Sequence, residues 1–279
     1  MKNRILYILI GVFVNTPFCF SVQNDSLCIE TLLHNSEEKV FQTNSERLMF
    51  FANSFLGRPY KGGTLDTDYE NETLIIRTDS FDCTTYVETV LALYLSSLQK
   101  NSGYKNYADM LRMIRYRNGI IKGYASRLHY FSDWAKDNER KGFIYEVTNA
   151  SRHSVRILSL NYMTEHAELY RQLKDNDSLK NELQILEKEW NDYKMPYIPK
   201  SCICSSMSGI IKDGDILALT TSIPGLDVVH LGFAKWLKGS LHLIHASSLY
   251  GEVVVDSLSL SDYLKGRKKH TGIRVFRMN

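Results

Sequence analysis

The spacing of apolar residues changes once along this chain, and that change limits what it can fold into. Before about residue 200, apolar positions recur every three or four residues. Leu48, Phe51, Ala52 and Phe55 form one such stripe. Val87, Val90, Leu91, Tyr94, Leu95 and Leu98 form another, and Leu179, Leu183, Leu186 and Trp190 a third. That spacing predicts helices over 44–55, 83–99 and within 161–194, with a further candidate over 105–117 stopped at Asn118-Gly119. After Gly214 the apolar runs shorten and turn signals separate them. Strands are expected over 215–221, 228–237, 241–247, 253–256 and 273–277. Helices first and an antiparallel sheet afterwards is the α+β pattern.

The first 21 residues read as a removable leader. A short basic start, Met1-Lys2-Asn3-Arg4, precedes an apolar run from Ile5 to Val14 and a plausible cleavage end at Ser21. The run is too short to span a membrane. Cys19 is a candidate for lipid attachment, but the bulky Phe18 before it argues against that. The expected location is therefore periplasmic or secreted. Residues 22–43 are polar and irregular and read as an N-terminal tether. Residues 44–279 read as one catalytic domain, with a helical insertion at about 100–200. Breakers crowd the loop Gly57-Arg58-Pro59-Tyr60-Lys61-Gly62-Gly63, and the polar stretch 64–79 is expected to wrap over a surface.

The net charge of +3 is spread along the chain and argues for neither nucleic acid nor a strongly anionic partner. Four of the five cysteines lie past the leader: Cys28, Cys83, Cys202 and Cys204. That is sparse for a disulfide scaffold. Cys202 and Cys204 form a lone C-x-C, whereas a structural zinc site needs four ligands. They read as structural, with a disulfide to Cys28 or a metal site as alternatives. No motif asks for a cofactor.

The most informative segment is Asp79-Ser80-Phe81-Asp82-Cys83-Thr84-Thr85-Tyr86-Val87-Glu88. It sets Cys83 at the start of an apolar helix, with Asp82 as a natural N-cap. Unpaired N–H groups and a partial positive charge gather there, so the thiol pKa is expected to fall, and the same groups can hold an oxyanion. A thiol nucleophile needs a base. A two-residue turn at Lys238-Gly239 would set Leu237 opposite Ser240 and Gly232 opposite His245. His230 and His245 would then be diagonal neighbours on one sheet face, roughly 6–7 Å apart at the backbone. In that geometry Cys83 attacks a carbonyl, His230 is the base and His245 orients it. His34, His129, His153, His166, His242 and His270 read as ordinary polar residues.

These residues resemble the NlpC-type cysteine peptidases and amidases. F-D-C-T-T-Y-V-E around Cys83 resembles their D-C-S-G-F-V. H-L-G-F-A from His230 resembles H-x-G-I-Y, L-I-H-A-S-S around His245 resembles F-I-H-A-S, and G-R-P-Y-K-G-G resembles G-x-P-Y-x-x-G-G. Longer features, among them Asp133-Trp134, Tyr197-Ile198-Pro199-Lys200 and Gly225-Leu226-Asp227, look like the larger Bacteroides-type N-acetylmuramoyl-L-alanine amidases. The resemblance implies a papain-like α+β fold and a Cys83, His230, His245 triad. It also implies work on peptidoglycan fragments, with no nucleic-acid partner and no stable membrane insertion. Tyr60, Asp82 and Trp134 become candidate substrate-binding residues.

Thr84-Thr85 departs from the Ser-Gly of the general signature. It is expected to reshape the subsite beside the nucleophile, favouring the bond between muramic acid and L-Ala; the 1,6-anhydro form of the sugar is what the resemblance implies. The alternatives are an endopeptidase cutting the stem peptide at the γ-D-glutamyl–diamino-acid bond, and a module that binds muropeptides without cutting them.

Overall fold

A computed structural model describes residues 25–66, 71–150 and 153–279. The expected leader lies outside them. Helices come first: α1 (Asp25–Glu37), α2 (Asn44–Asn53), α3 (Cys83–Ser97), α4 (Tyr104–Arg115) and α5 (Phe131–Arg140). Then β1 (Ile144–Glu146), β2 (Ser154–Ile157), α6 (Tyr162–Glu165), α7 (Asp177–Lys188) and β3 (Lys194–Pro199) lead into the main strands. Those are β4 (Ile216–Thr221), β5 (Val228–Leu237), β6 (Ser240–Ser247) and β7 (Glu252–Val255), followed by α8 (Leu260–Lys265) and β8 (His270–Met278).

The strands form one antiparallel sheet in the order β2-β3-β8-β4-β5-β6-β7, with β1 also paired to β8. The α+β expectation holds. Helices α1 to α4 lie over one face, where Leu48, Phe51, Val87 and Leu91 meet Ala218, Phe233 and Ile244. Helix α8 closes the other face, with Leu260 and Leu264 against Leu219, Leu243 and Ile273.

Helix α3 is buried on every side from Thr85 to Ser96. A helix enclosed all round carries apolar residues on every side, which is why its sequence reads beyond a single stripe. Part of its cover is α1, which overturns the tether reading of 22–43: Ile29 and Leu33 are fully buried. Asp25 anchors α1 by accepting from the Thr78 N–H (2.7 Å) and hydroxyl (2.8 Å).

The 100–200 insertion is not purely helical. It carries β1, β2 and β3 into the sheet and builds its own small core from Tyr130, Leu160, Met163, Leu183, Trp190 and Met195. The 71–80 segment wraps over the helices as expected. Arg115 fastens it there, donating to the Ile75 carbonyl (2.6 Å) and pairing with buried Glu88 (2.7 Å).

Candidate active site

Asp82 and Thr85 fix where α3 begins. The Asp82 carboxylate accepts from the Thr85 N–H (2.7 Å), and the Thr85 hydroxyl accepts from the Asp82 N–H (3.0 Å). This reciprocal cap makes Cys83 the first residue of the helix. Thr85 is 6% exposed, so it serves the cap and cannot shape a subsite. The Thr84 hydroxyl instead lies near the Cys83 sulfur and favours its thiolate.

The breaker-rich loop ties this helix start to the sheet. Tyr60 donates its N–H to Gly251 (2.7 Å), Val253 donates to Arg58 (2.8 Å), and Lys61 donates to Phe81 (2.8 Å). A run of edge-on ring contacts, Phe55–Phe81–Tyr86–Phe233, carries the same coupling through the core. Burial raises the Tyr60 hydroxyl above its ordinary value, and the neighbouring Cys83 and Asp82 add to the rise, so Tyr60 lies near both. Trp134 does not offer itself to a ligand: it is 3% exposed, stacked on Phe131 within the core.

The β5–β6 hairpin has the expected register. Lys238 (φ 48°) and Gly239 (φ 80°) form the turn, and Leu237 pairs with Ser240. Pairing continues to Phe233 and Ile244. Beyond it the Leu231 N–H lies close enough to the Cys83 sulfur to favour its thiolate, which puts the thiol near the peptide that follows His230. The register also shifts beside His230: Leu219 faces His230 but Thr220 faces Val228, leaving Val229 as an extra residue. Such bulges re-aim neighbouring side chains.

His230 Nε2 and His245 Nδ1 lie 2.5 Å apart, with the rings edge to face. Gly232, directly between them in register, has no side chain to hold them apart. Behind His245 stands Asp256, which sequence reasoning missed. Its Oδ2 is 3.4 Å from His245 Nε2, and both side chains are buried. The signal was available. Leu243 accepts from the Asp256 N–H across β6 and β7, so Asp256 stands to His245 as His245 does to His230.

Burial dominates the electrostatics. It pushes the Cys83 thiol up to about 11, and the Asp82 carboxylate adds to the rise; the Leu231 N–H, the Thr84 hydroxyl and the cysteine's own N–H oppose it and lose. This corrects the expectation of a lowered thiol pKa. Burial likewise holds His230 well below the ordinary imidazole value, aided by repulsion from His245, His270 and Arg267. His245 is lowered by burial despite the Asp256 carboxylate. Thiol and imidazoles therefore rest neutral at pH 7. Among the described residues no cluster suited to a metal ion occurs, and no disulfide links Cys28, Cys83, Cys202 and Cys204.

An α+β chain with this site compares with amidases. A Bacteroides uniformis N-acetylmuramoyl-L-alanine amidase structure superposes with a TM-score of 0.81 at 41% identity, over 85% of this chain and 99% of that one. A Bacteroides fragilis structure carrying a provisional xylanase name superposes at 0.78 with 46% identity, over 82% and 99%. A Legionella pneumophila structure superposes at 0.67 with 25% identity, over 91% and 94%. No match is found among curated proteins. The class is an amidase-like enzyme. Through residues 50–273, the chain belongs to the AmiA-like family, described as N-acetylmuramoyl-L-alanine amidase-like.

Proposed function

We propose that this protein hydrolyses the amide between the lactyl group of N-acetylmuramic acid, in its 1,6-anhydro form, and L-Ala, using Cys83, His230 and His245. The observation that carries the mechanism is the 2.5 Å histidine pair beside a helix-initiating cysteine. The bond assignment rests on family membership.

With His230 Nε2 engaged by His245, Nδ1 is left for Cys83. Because the thiol rests neutral, His230 must take its proton as sulfur attacks the carbonyl carbon. The oxyanion that forms is met by N–H groups in the first turn of α3. His230 then gives its proton to the alanine nitrogen as the C–N bond breaks, leaving a thioester. Water, deprotonated by His230, attacks that thioester and restores the thiol while freeing the lactyl carboxylate. The same chemistry suits a papain-like NlpC core.

A glycosidase reading finds no support here. Glycoside hydrolysis needs two carboxyl groups facing the sugar. Asp82 is bound up in the helix cap and Asp256 is sealed behind His245. For location, we read the protein as exported. The support is the short basic start, the apolar run from Ile5 to Val14 and the small residue Ser21 as a cleavage end.

The test is digestion of GlcNAc-anhydroMurNAc-peptide with mass spectrometry of the products. An intact peptide with a free alanine amine is expected, and none with Cys83→Ala. L-Ala–D-Glu left on the sugar would replace the amidase reading with the endopeptidase one; unaltered turnover by Cys83→Ala would end the cysteine mechanism.

A further inference from the structure

We infer that Asp256 is a positioning residue that sets the tautomers of both histidines and thereby leaves His230 with its basic nitrogen toward Cys83. The inference rests on the triad reading above. Its starting point is the geometry of three neighbouring strands. His230 on β5, His245 on β6 and Asp256 just past β7 occupy successive diagonal positions on one sheet face.

Asp256 is held rigidly. Its N–H donates to Leu243 (2.8 Å), its carbonyl accepts from His242 Nδ1 (2.9 Å), and Oδ1 accepts from the Leu258 N–H (2.9 Å). That leaves Oδ2, which faces His245 Nε2 at 3.4 Å, long for a hydrogen bond. Nε2 is buried without a regular partner. An ionised carboxylate only accepts, and a neutral imidazole has one N–H and one lone pair. A lone pair on Nε2 would face oxygen lone pairs in a buried site, so the proton of His245 belongs on Nε2.

The consequence passes along the chain of rings. With its proton on Nε2, His245 can only accept at Nδ1. The 2.5 Å contact then requires His230 to donate from Nε2. A neutral His230 protonated at Nε2 has its lone pair at Nδ1, the nitrogen the reaction needs. The reverse tautomers would place the His230 proton on Nδ1 and leave the thiol without a base. When His230 takes the thiol proton, Asp256 also supplies the buried counter-charge. The other charged group acting on the pair, Arg267, opposes a positive charge on both histidines.

The experiment uses the full chain with ¹⁵N-labelled histidine. Long-range ¹H–¹⁵N correlation spectra report each ring's tautomer without any substrate. The wild type should show His230 and His245 both protonated at Nε2. In Asp256→Asn the amide can donate to Nε2, so the His245 proton should move to Nδ1, as kcat falls at least a hundred-fold with KM nearly unchanged. Asp256→Glu should recover part of the loss. A wild-type His245 carrying its proton on Nδ1 would overturn the inference, as would an Asp256→Asn variant with wild-type tautomers and kcat. Loss of the triad reading alone would look different: Cys83→Ala would keep its activity while the tautomers stayed as inferred.

Discussion

Replacing Gly232 with Ala should separate catalysis from stability. A Cβ at this position would come within 2.7 Å of the Ile244 carbonyl oxygen, 2.8 Å of Leu243 Cδ1 and 2.9 Å of His245 Cβ, where ordinary contacts begin near 3.4 Å. Leu243 can swing aside, but the other two atoms belong to the frame of β6. That strand must therefore retreat from β5 by roughly 0.5–1 Å, at an overpacking cost of about 1–3 kcal/mol. For a chain of this size the cost corresponds to a fall in Tm of about 3–10 °C. The same retreat stretches the 2.5 Å bond between His230 and His245. A 1 Å error in a catalytic arrangement costs about a hundred-fold in rate. The expected result is kcat down about a hundred-fold and KM little changed, with the protein still folded. Gly239→Ala is the control. It sits at φ 80° with open space around it, so it should cost about 1–2 kcal/mol of backbone strain and no activity. Wild-type kcat in Gly232→Ala would refute the claim that the two histidines work as a pair.

Alkylation of Cys83 by iodoacetamide, followed in a variant with Cys28, Cys202 and Cys204 changed to Ser, should accelerate about ten-fold per pH unit from pH 7 to 10. The raised thiol pKa of about 11 leaves the thiolate scarce below it, and a rate that levels off by pH 8 would indicate a resting thiolate instead. Arg115→Met should cost about 3–5 kcal/mol at pH 7.5, because it strands the Glu88 carboxylate in the core. Burial already raises Glu88 above its ordinary value, so its folded form holds the proton more tightly than the unfolded chain, and stability should fall as pH rises. Thermal melts should therefore show the deficit shrinking toward pH 5, and a deficit independent of pH would contradict this account.

What could be read from the sequence divides along physical lines. The β5–β6 hairpin could be counted from its turn, because a two-residue turn fixes the register and a one-residue slip would send the two histidines to opposite faces. The elements that escaped notice lack such a period. In β2 the alternation points the wrong way: Val155 and Ile157 are more than half exposed, while Arg156 turns inward and donates to the Thr221 and Ile223 carbonyls. β3 carries Pro196 and Pro199, which normally exclude a segment from the interior of a sheet, yet it lies between β2 and β8. α1 buries only Cys28, Ile29, Leu33 and Ser36 of its 13 residues, too faint a stripe to separate from a polar tether.

The thiol shows why a site read from sequence leaves its chemistry open. Position at a helix N-terminus argues for a low pKa, and taken alone the argument is sound. But Asp82, the residue that creates this N-terminus by capping it, brings an anion against the sulfur, and the cover provided by the fold desolvates the thiol. The carboxylate stands next to the cysteine in the sequence, but the burial is not visible until the chain is folded. Together they make a base obligatory, since a thiol that stays neutral near pH 7 cannot attack unaided. The burial that raises Cys83 also lowers His230, so in the proposed mechanism the base is deprotonated when the thiol needs it. A charged resting pair would have to be desolvated in this setting; a neutral pair develops charge only as the carbonyl is attacked, at the moment the N-terminus of α3 can stabilise it.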